Sequence, residues 1–129
     1  SRGLVGSEMC IRDRYLHNLR QLMVHKPESA DELALTIHIE NMAKARLRSR
    51  GIARTLVLAN SLKNLPCSLH CIFGEQDMTL HPDLDGLEKY VRDIHPGASF
   101  DIVEDAGHWV QFEAPERVNE ILNRILTEN

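Results

Sequence analysis

The sequence predicts a mixed α/β fold built on a pair of parallel strands, and two observations predict it. From Leu65 onward a short apolar run, an amphipathic stretch, a second short apolar run and a second amphipathic stretch follow one another. Before Leu65 the apolar residues recur at helical spacing. A strand–helix–strand–helix order of this length implies parallel strands joined by a right-handed crossover.

The elements follow in order. Leu16, Leu19, Leu22 and Met23 predict a helix over Tyr15–Val24, and Pro27 ends it or lies just beyond. Ser29 or Asp31 caps the next helix, about Asp31–Arg48, with Glu32 in its first turn. Leu35, Ile39 and Met42 form its stripe, and Arg46, Arg48 and Arg50 suit its C-terminal dipole before Gly51 breaks the pattern. A third helical stretch covers Ile52–Lys63. Ser68–Phe73, bounded by Pro66 and Gly74, reads as a buried strand. Gly74–Pro82 is a loop. Leu84, Leu87, Tyr90, Val91 and Ile94 share one face of a helix over Asp83–Ile94. After the Pro96-Gly97 turn, Ser99–Val103 is the second strand and Glu104–Ala114 a second long loop. Pro115 opens a last helix striped by Val118, Ile121, Leu122, Ile125 and Leu126. Parallel strands need cover on both faces, which a lone pair does not supply. Either the earlier helices wrap the pair or further strands precede it, and the second is favoured.

Composition narrows the function. The 129 residues are 43% hydrophobic and 26% charged, with 15 basic against 19 acidic side chains and a net charge of −4. That is globular composition without the basic patch and aromatic platforms that nucleic acid requires. No apolar run is long enough to span a membrane, and no signal peptide is visible. Cys10, Cys67 and Cys71 are too few for a disulfide scaffold, so a reducing, cytoplasmic compartment is expected. Cys67, His70 and Cys71 have metal-ligand chemistry. On a strand, however, His70 points opposite to the cysteines, so small buried cysteines are expected instead of a metal.

Residues 1–14 show no clean helical or strand period. Ser7–Arg14 resembles a translated transposon-end adaptor, ATG-TGT-ATA-AGA-GAC being one coding for Met9 to Asp13. The segment is therefore expected to be a non-native tail, with the reading frame truncated upstream, the alternative being a natural, poorly ordered N-terminal arm.

Both long loops follow the C-terminal ends of the strands, the edge at which open parallel sheets bind ligands. The first carries Gly74-Glu75-Gln76-Asp77 and the second Glu104-Asp105-Ala106-Gly107-His108-Trp109. With the strands adjacent, Asp77 and His108 can meet. A carboxylate that accepts from imidazole Nδ1–H fixes the tautomer and leaves the other nitrogen as a general base. Gly107 is expected to permit a tight backbone approach.

Phe73-Gly74-Glu75-Gln76-Asp77 resembles the strand-plus-acid segment of the α/β-hydrolases. Ala106-Gly107-His108-Trp109, followed by Pro115-Glu116-Arg117-Val118, is similar to their histidine loop and last helix. The family's chain order is nucleophile, acid, histidine, and Asp77 before His108 fits it. The resemblance implies a partial α/β-hydrolase. Residues 15–64 would be cap or lid helices with a return helix, and residues 65–129 the C-terminal βαβα portion of the core. It implies Asp77 as triad acid, with Glu75 competing one residue short of the family's depth, and His108 as triad base. The parent would be a cofactor-free hydrolase of an ester, amide or related carbonyl compound, with a small-molecule substrate as its partner. Gln111 and Glu113 after Gly-His-Trp are also similar to hydrolases that cleave carbon–carbon bonds of ring-fission products.

The departure is the nucleophile. No Gly-x-Ser-x-Gly elbow is present, and Ser29, Ser49, Ser61, Ser68 and Ser99 lack the glycine frame. The chain alone is expected to be inactive, with a serine, or an aspartate as in epoxide hydrolases, supplied upstream. The rivals are a non-catalytic binding or scaffold protein of the same fold and a small interaction domain. Trp109 either shapes a substrate pocket or packs beneath the histidine loop. His81 lines the entrance or lies on the surface. His17, His25, His38 and His95 read as helix-surface or turn residues. Met23 and Met42 pack between helices or line a cap pocket, and the arginines from Arg46 to Arg54 form a solvated helix end or bind an anionic substrate, the first being favoured.

Overall fold

The computed structural model describes residues 2–46, 56–80 and 83–128, with backbone alone for 2–9. Helix α1 (Arg2–Asn18) runs on into a π-helical segment, Leu19–Met23, closed by the Val24 N–H donating to the Leu19 carbonyl at 3.0 Å. The wider turn splits the expected stripe. Leu19 and Val24 are buried while Leu22 turns to solvent. Helical backbone thus extends through the segment that lacks a clean period. Cys10 to Arg14 are all exposed there, and Arg12 is tied to α2 by an ion pair with Glu32.

A short 3₁₀ turn, Pro27–Ser29, leads to α2 (Glu32–Lys44). Asp31, rather than Ser29, caps α2 by accepting from the Ala34 N–H at 2.8 Å. The helix ends at Lys44, where Ala45 is already extended, short of the expected Arg48. Met42 is exposed and Met23 half-buried. Arg46 is exposed, while Arg48, Arg50, Arg54 and His81 lie outside the described residues. Of the third helical stretch, residues 52–55 lie outside the described residues; Leu56 stands at the N-cap of helix α3 (Val57–Lys63), and Leu56, Val57 and Leu58 are exposed.

Among the described residues the sheet has two strands, β1 (His70–Gly74) and β2 (Ser99–Val103), paired in parallel. Their register sets His70 against Ser99 and Gly74 against Val103. Both strands therefore end at the same rim, and both following loops leave from it. Between them lies α4 (Leu84–Ile94). After β2 come a single helical turn, α5 (Val110–Glu113), and the last helix, α6 (Pro115–Thr127), with Pro115 in its first turn. The turn α5 falls inside the expected loop, because four residues are too few to show a period.

Among the described residues there are two buried apolar clusters. One joins Val103, Ala106, Val110, Val118 and Ile121, with Ile72, Ala114 and Ile125 against it. The other joins Leu19, Val24, Ala34 and Leu35, with Trp109 and Phe112 packed on it. Trp109 and Val110 are consecutive yet serve different clusters. The histidine loop therefore sits at the seam between the helices before residue 46 and the β-strand unit. The architecture is mixed α/β, a small parallel sheet with flanking helices.

The cysteines are free thiols. Cys67 is exposed, contrary to the expected buried position, because β1 begins only at His70. Cys71 is half-buried, and desolvation pushes its thiol pKa up. His70 pairs with the Ser99 hydroxyl at 2.7 Å. Among the described residues no cluster of side chains could hold a metal ion, and no helix is long and apolar enough to cross a membrane.

Candidate functional site

The loops that leave the shared rim are stitched by backbone. Glu75 N–H donates to the Val103 carbonyl and Gln76 N–H to the Ala106 carbonyl, each at 2.9 Å. Gly74 lies so close to the Ala106 and Gly107 carbonyls that a Cβ there would overlap backbone. Gly107 is also confined, though less tightly, since a Cβ would come within 2.8 Å of the His25 nitrogen. The expected tight approach at Gly107 is thus a matter of space, not of left-handed backbone. The left-handed position in this loop belongs to Asp105, with φ 55°, a conformation that aspartate tolerates better than most residues.

These turns bring Asp77 and His108 together. His108 Nδ1 lies 2.9 Å from Asp77 Oδ2. Asp77 is only 3% exposed, whereas the His108 side chain is 45% exposed. The buried acid sits behind the ring and the imidazole faces outward. No hydrogen bond engages His108 Nε2 among the described residues. Glu75 does not reach the histidine: it is exposed, and its carboxylate accepts from the Gln76 amide at 2.9 Å.

Burial alone would raise the Asp77 pKa. Hydrogen bonds from the Thr79 hydroxyl, from His108 and from the Thr79 N–H outweigh it, and the carboxyl lies below the usual aspartate range. An ionised Asp77 only accepts, so His108 Nδ1 carries the proton that is shared. Thr79 escaped the sequence reading. Its hydroxyl and its N–H donate to Asp77 Oδ1 at 2.7 and 2.9 Å, which leaves Oδ2 for the histidine. The signal was present in the Asp-x-Thr spacing, which favours an Asx-type turn. The Thr79 oxygen is also 3.3 Å from His108 Nδ1, on the side away from Nε2.

Trp109 packs beneath the loop. Its ring meets His38 and Phe112 edge-on, with centroids 6.0 and 5.9 Å away. His38, expected at a helix surface, is instead buried between Trp109 and Tyr15, whose ring centroid is 5.5 Å off. It was misplaced because α2 turns that face toward α1 and the histidine loop. Desolvation lowers the His38 pKa.

An open cleft lies at the opposite end of the strands, lined by His70, Ser99, Asp101, Arg92 and Arg124. Its cations are engaged, Arg92 by the Ala98 carbonyl and Glu88, and Arg124 by Asp101. The chemistry of the rim, by contrast, is that of a buried carboxylate orienting an accessible imidazole, an arrangement suited to moving a proton at Nε2. The chain matches no protein-family model, no curated protein and no solved structure.

Proposed function

We propose that Asp77 and His108 are the acid and base of a nucleophile–histidine–acid triad in an α/β-fold hydrolase. The substrate class is an ester, an amide or a related carbonyl compound. One observation carries this reading: the 2.9 Å contact between a buried carboxylate and the Nδ1 of an outward-facing histidine. It occurs at the C-terminal rim of parallel strands, in the chain order acid then histidine. His108 Nε2 takes the proton from the attacking group and returns it to the leaving group, while Asp77 holds the tautomer and stabilises the imidazolium. The nucleophile and the oxyanion donors come from outside these residues, because the sequence has no Gly-x-Ser-x-Gly elbow.

The test has two steps. The coding sequence upstream of Tyr15 is read for a strand followed by Gly-x-Ser-x-Gly. The protein that carries it is then assayed for steady turnover of p-nitrophenyl esters, with and without His108→Ala. Turnover reduced by at least about 10³-fold in the variant is expected. An elbow with neither serine nor aspartate at its centre and no turnover supports a binding or scaffold protein, and a start codon near Tyr15 a small interaction domain; either result removes the hydrolase reading.

A further inference from the structure

Glu113 takes no part in the proton transfer described above, yet its carboxylate grips the loop that carries His108. Oε1 accepts from the His25 N–H at 2.7 Å and from the Gly107 N–H at 2.8 Å. Oε2 accepts from the Lys26 N–H at 3.0 Å. The donors come from two segments far apart in sequence, the corner after the π-helical segment and the residue just before His108. On the other side of His108, the Trp109 N–H donates to the Met23 carbonyl at 2.8 Å. The histidine is thus pinned through both neighbours to the same corner, residues 23–26. That corner rests on the cluster of Leu19, Val24, Ala34 and Leu35.

The chemistry of the grip requires a carboxylate. Charge-assisted bonds to backbone N–H are among the stronger ones available to a protein. An ionised glutamate presents two acceptor oxygens and no donor. Glutamine presents one acceptor and an amino group, so in either orientation a donor faces an N–H. Gly107 completes the fit, since a side chain there would sit 3.0 Å from Glu113 Oε1 and closer still to His25.

We infer that Glu113 is a positioning residue that clamps Gly107 to the His25–Lys26 corner and so sets the ring of His108 against Asp77. The inference rests on the reading of Asp77 and His108 as a proton-transfer pair, and it adds residues 23–26 to the device.

The full chain labelled with ¹⁵N-histidine provides the test, read from the proton resonance of His108 Nδ1–H. Asp77→Asn identifies the signal by abolishing it. Glu113→Gln is expected to keep the backbone amide spectrum of the strands and to lose the Nδ1–H resonance to solvent exchange. A folded Glu113→Gln chain with that resonance at its original position overturns the inference. Where Glu113→Gln does not fold, Lys26→Pro decides. Lys26 has φ −81° and ψ 127°, which proline also adopts, so the change puts the ring Cδ where the N–H meets Glu113 Oε2 and forces that arm of the clamp open. A shifted and broadened His108 signal is expected, and an unchanged one overturns the inference. An inactive parent protein with a Glu113-dependent signal defeats the hydrolase reading alone, whereas a Glu113-independent signal in an active parent defeats the clamp alone.

Discussion

Oδ2 of Asp77 and Nδ1 of His108 meet at 2.9 Å although 31 positions separate them in the chain. The parallel register, Gly74 against Val103, delivers both loops to one rim, and Thr79 occupies the other carboxylate oxygen so that Oδ2 faces the ring.

Asp77→Asn should therefore disable the pair while preserving the shape of the loop. Under the proposed hydrolase function, kcat is expected to fall by roughly 10³–10⁴-fold, with KM little changed, because the amide no longer fixes the tautomer. Steady-state ester kinetics at neutral pH check this. Equal kcat in the two proteins would show that the contact has no catalytic role.

Acid should weaken the fold through two carboxylates. Burial would raise both, but hydrogen bonds from Thr79 and His108 hold Asp77 low, and those from Lys26, His25, Gly107 and Ser29 hold Glu113 low. Both groups have folded values below their unfolded ones. Their stabilisation is complete above about pH 4–5, where the unfolded chain is also ionised. It is lost as pH falls through the depressed folded values, since the unfolded chain takes up protons first. Urea midpoints measured from neutral pH to about pH 3 should fall with this profile, and Glu113→Gln should flatten it.

His38 should add a dependence at higher pH. Its burial between Tyr15 and Trp109 disfavours the imidazolium, so its folded pKa lies below the unfolded one. As pH falls through about 6.5 the unfolded chain binds the proton first. Stability is full above that value and declines below it. Melting temperatures on either side of pH 6.5 should differ for the natural chain and converge for His38→Leu. A natural chain whose melting temperature does not change across that range would argue against a buried, neutral His38.

Alanine at the glycines of the rim should separate space from conformation. Gly74→Ala and Gly107→Ala force Cβ into backbone and are expected to cost about 1–3 kcal/mol each. Gly97 has open space around it and no positive φ, so Gly97→Ala is expected to be neutral or to stabilise by up to about 1 kcal/mol. Thermal unfolding of the three variants gives the order, and equal losses at all three positions would contradict the close approach of the loops.

The sequence determined the alternation of elements from Leu65 onward. Short apolar runs and 3.6-residue stripes report directly on what each segment buries. Strand–helix–strand order then implies parallel neighbours, and so the meeting of Asp77 with His108 is legible in the order of elements along the chain. The tertiary structure decided what no local pattern encodes. It selected Asp77 over Glu75, because only the deeper position turns inward to the Thr79 donors. It buried His38 and set Trp109 into packing with it. It also recruited Glu113, whose partners His25 and Lys26 lie 88 and 87 positions away. Here contacts of that span form because two apolar clusters meet at one loop, and the spacing of residues along the chain carries no record of that meeting.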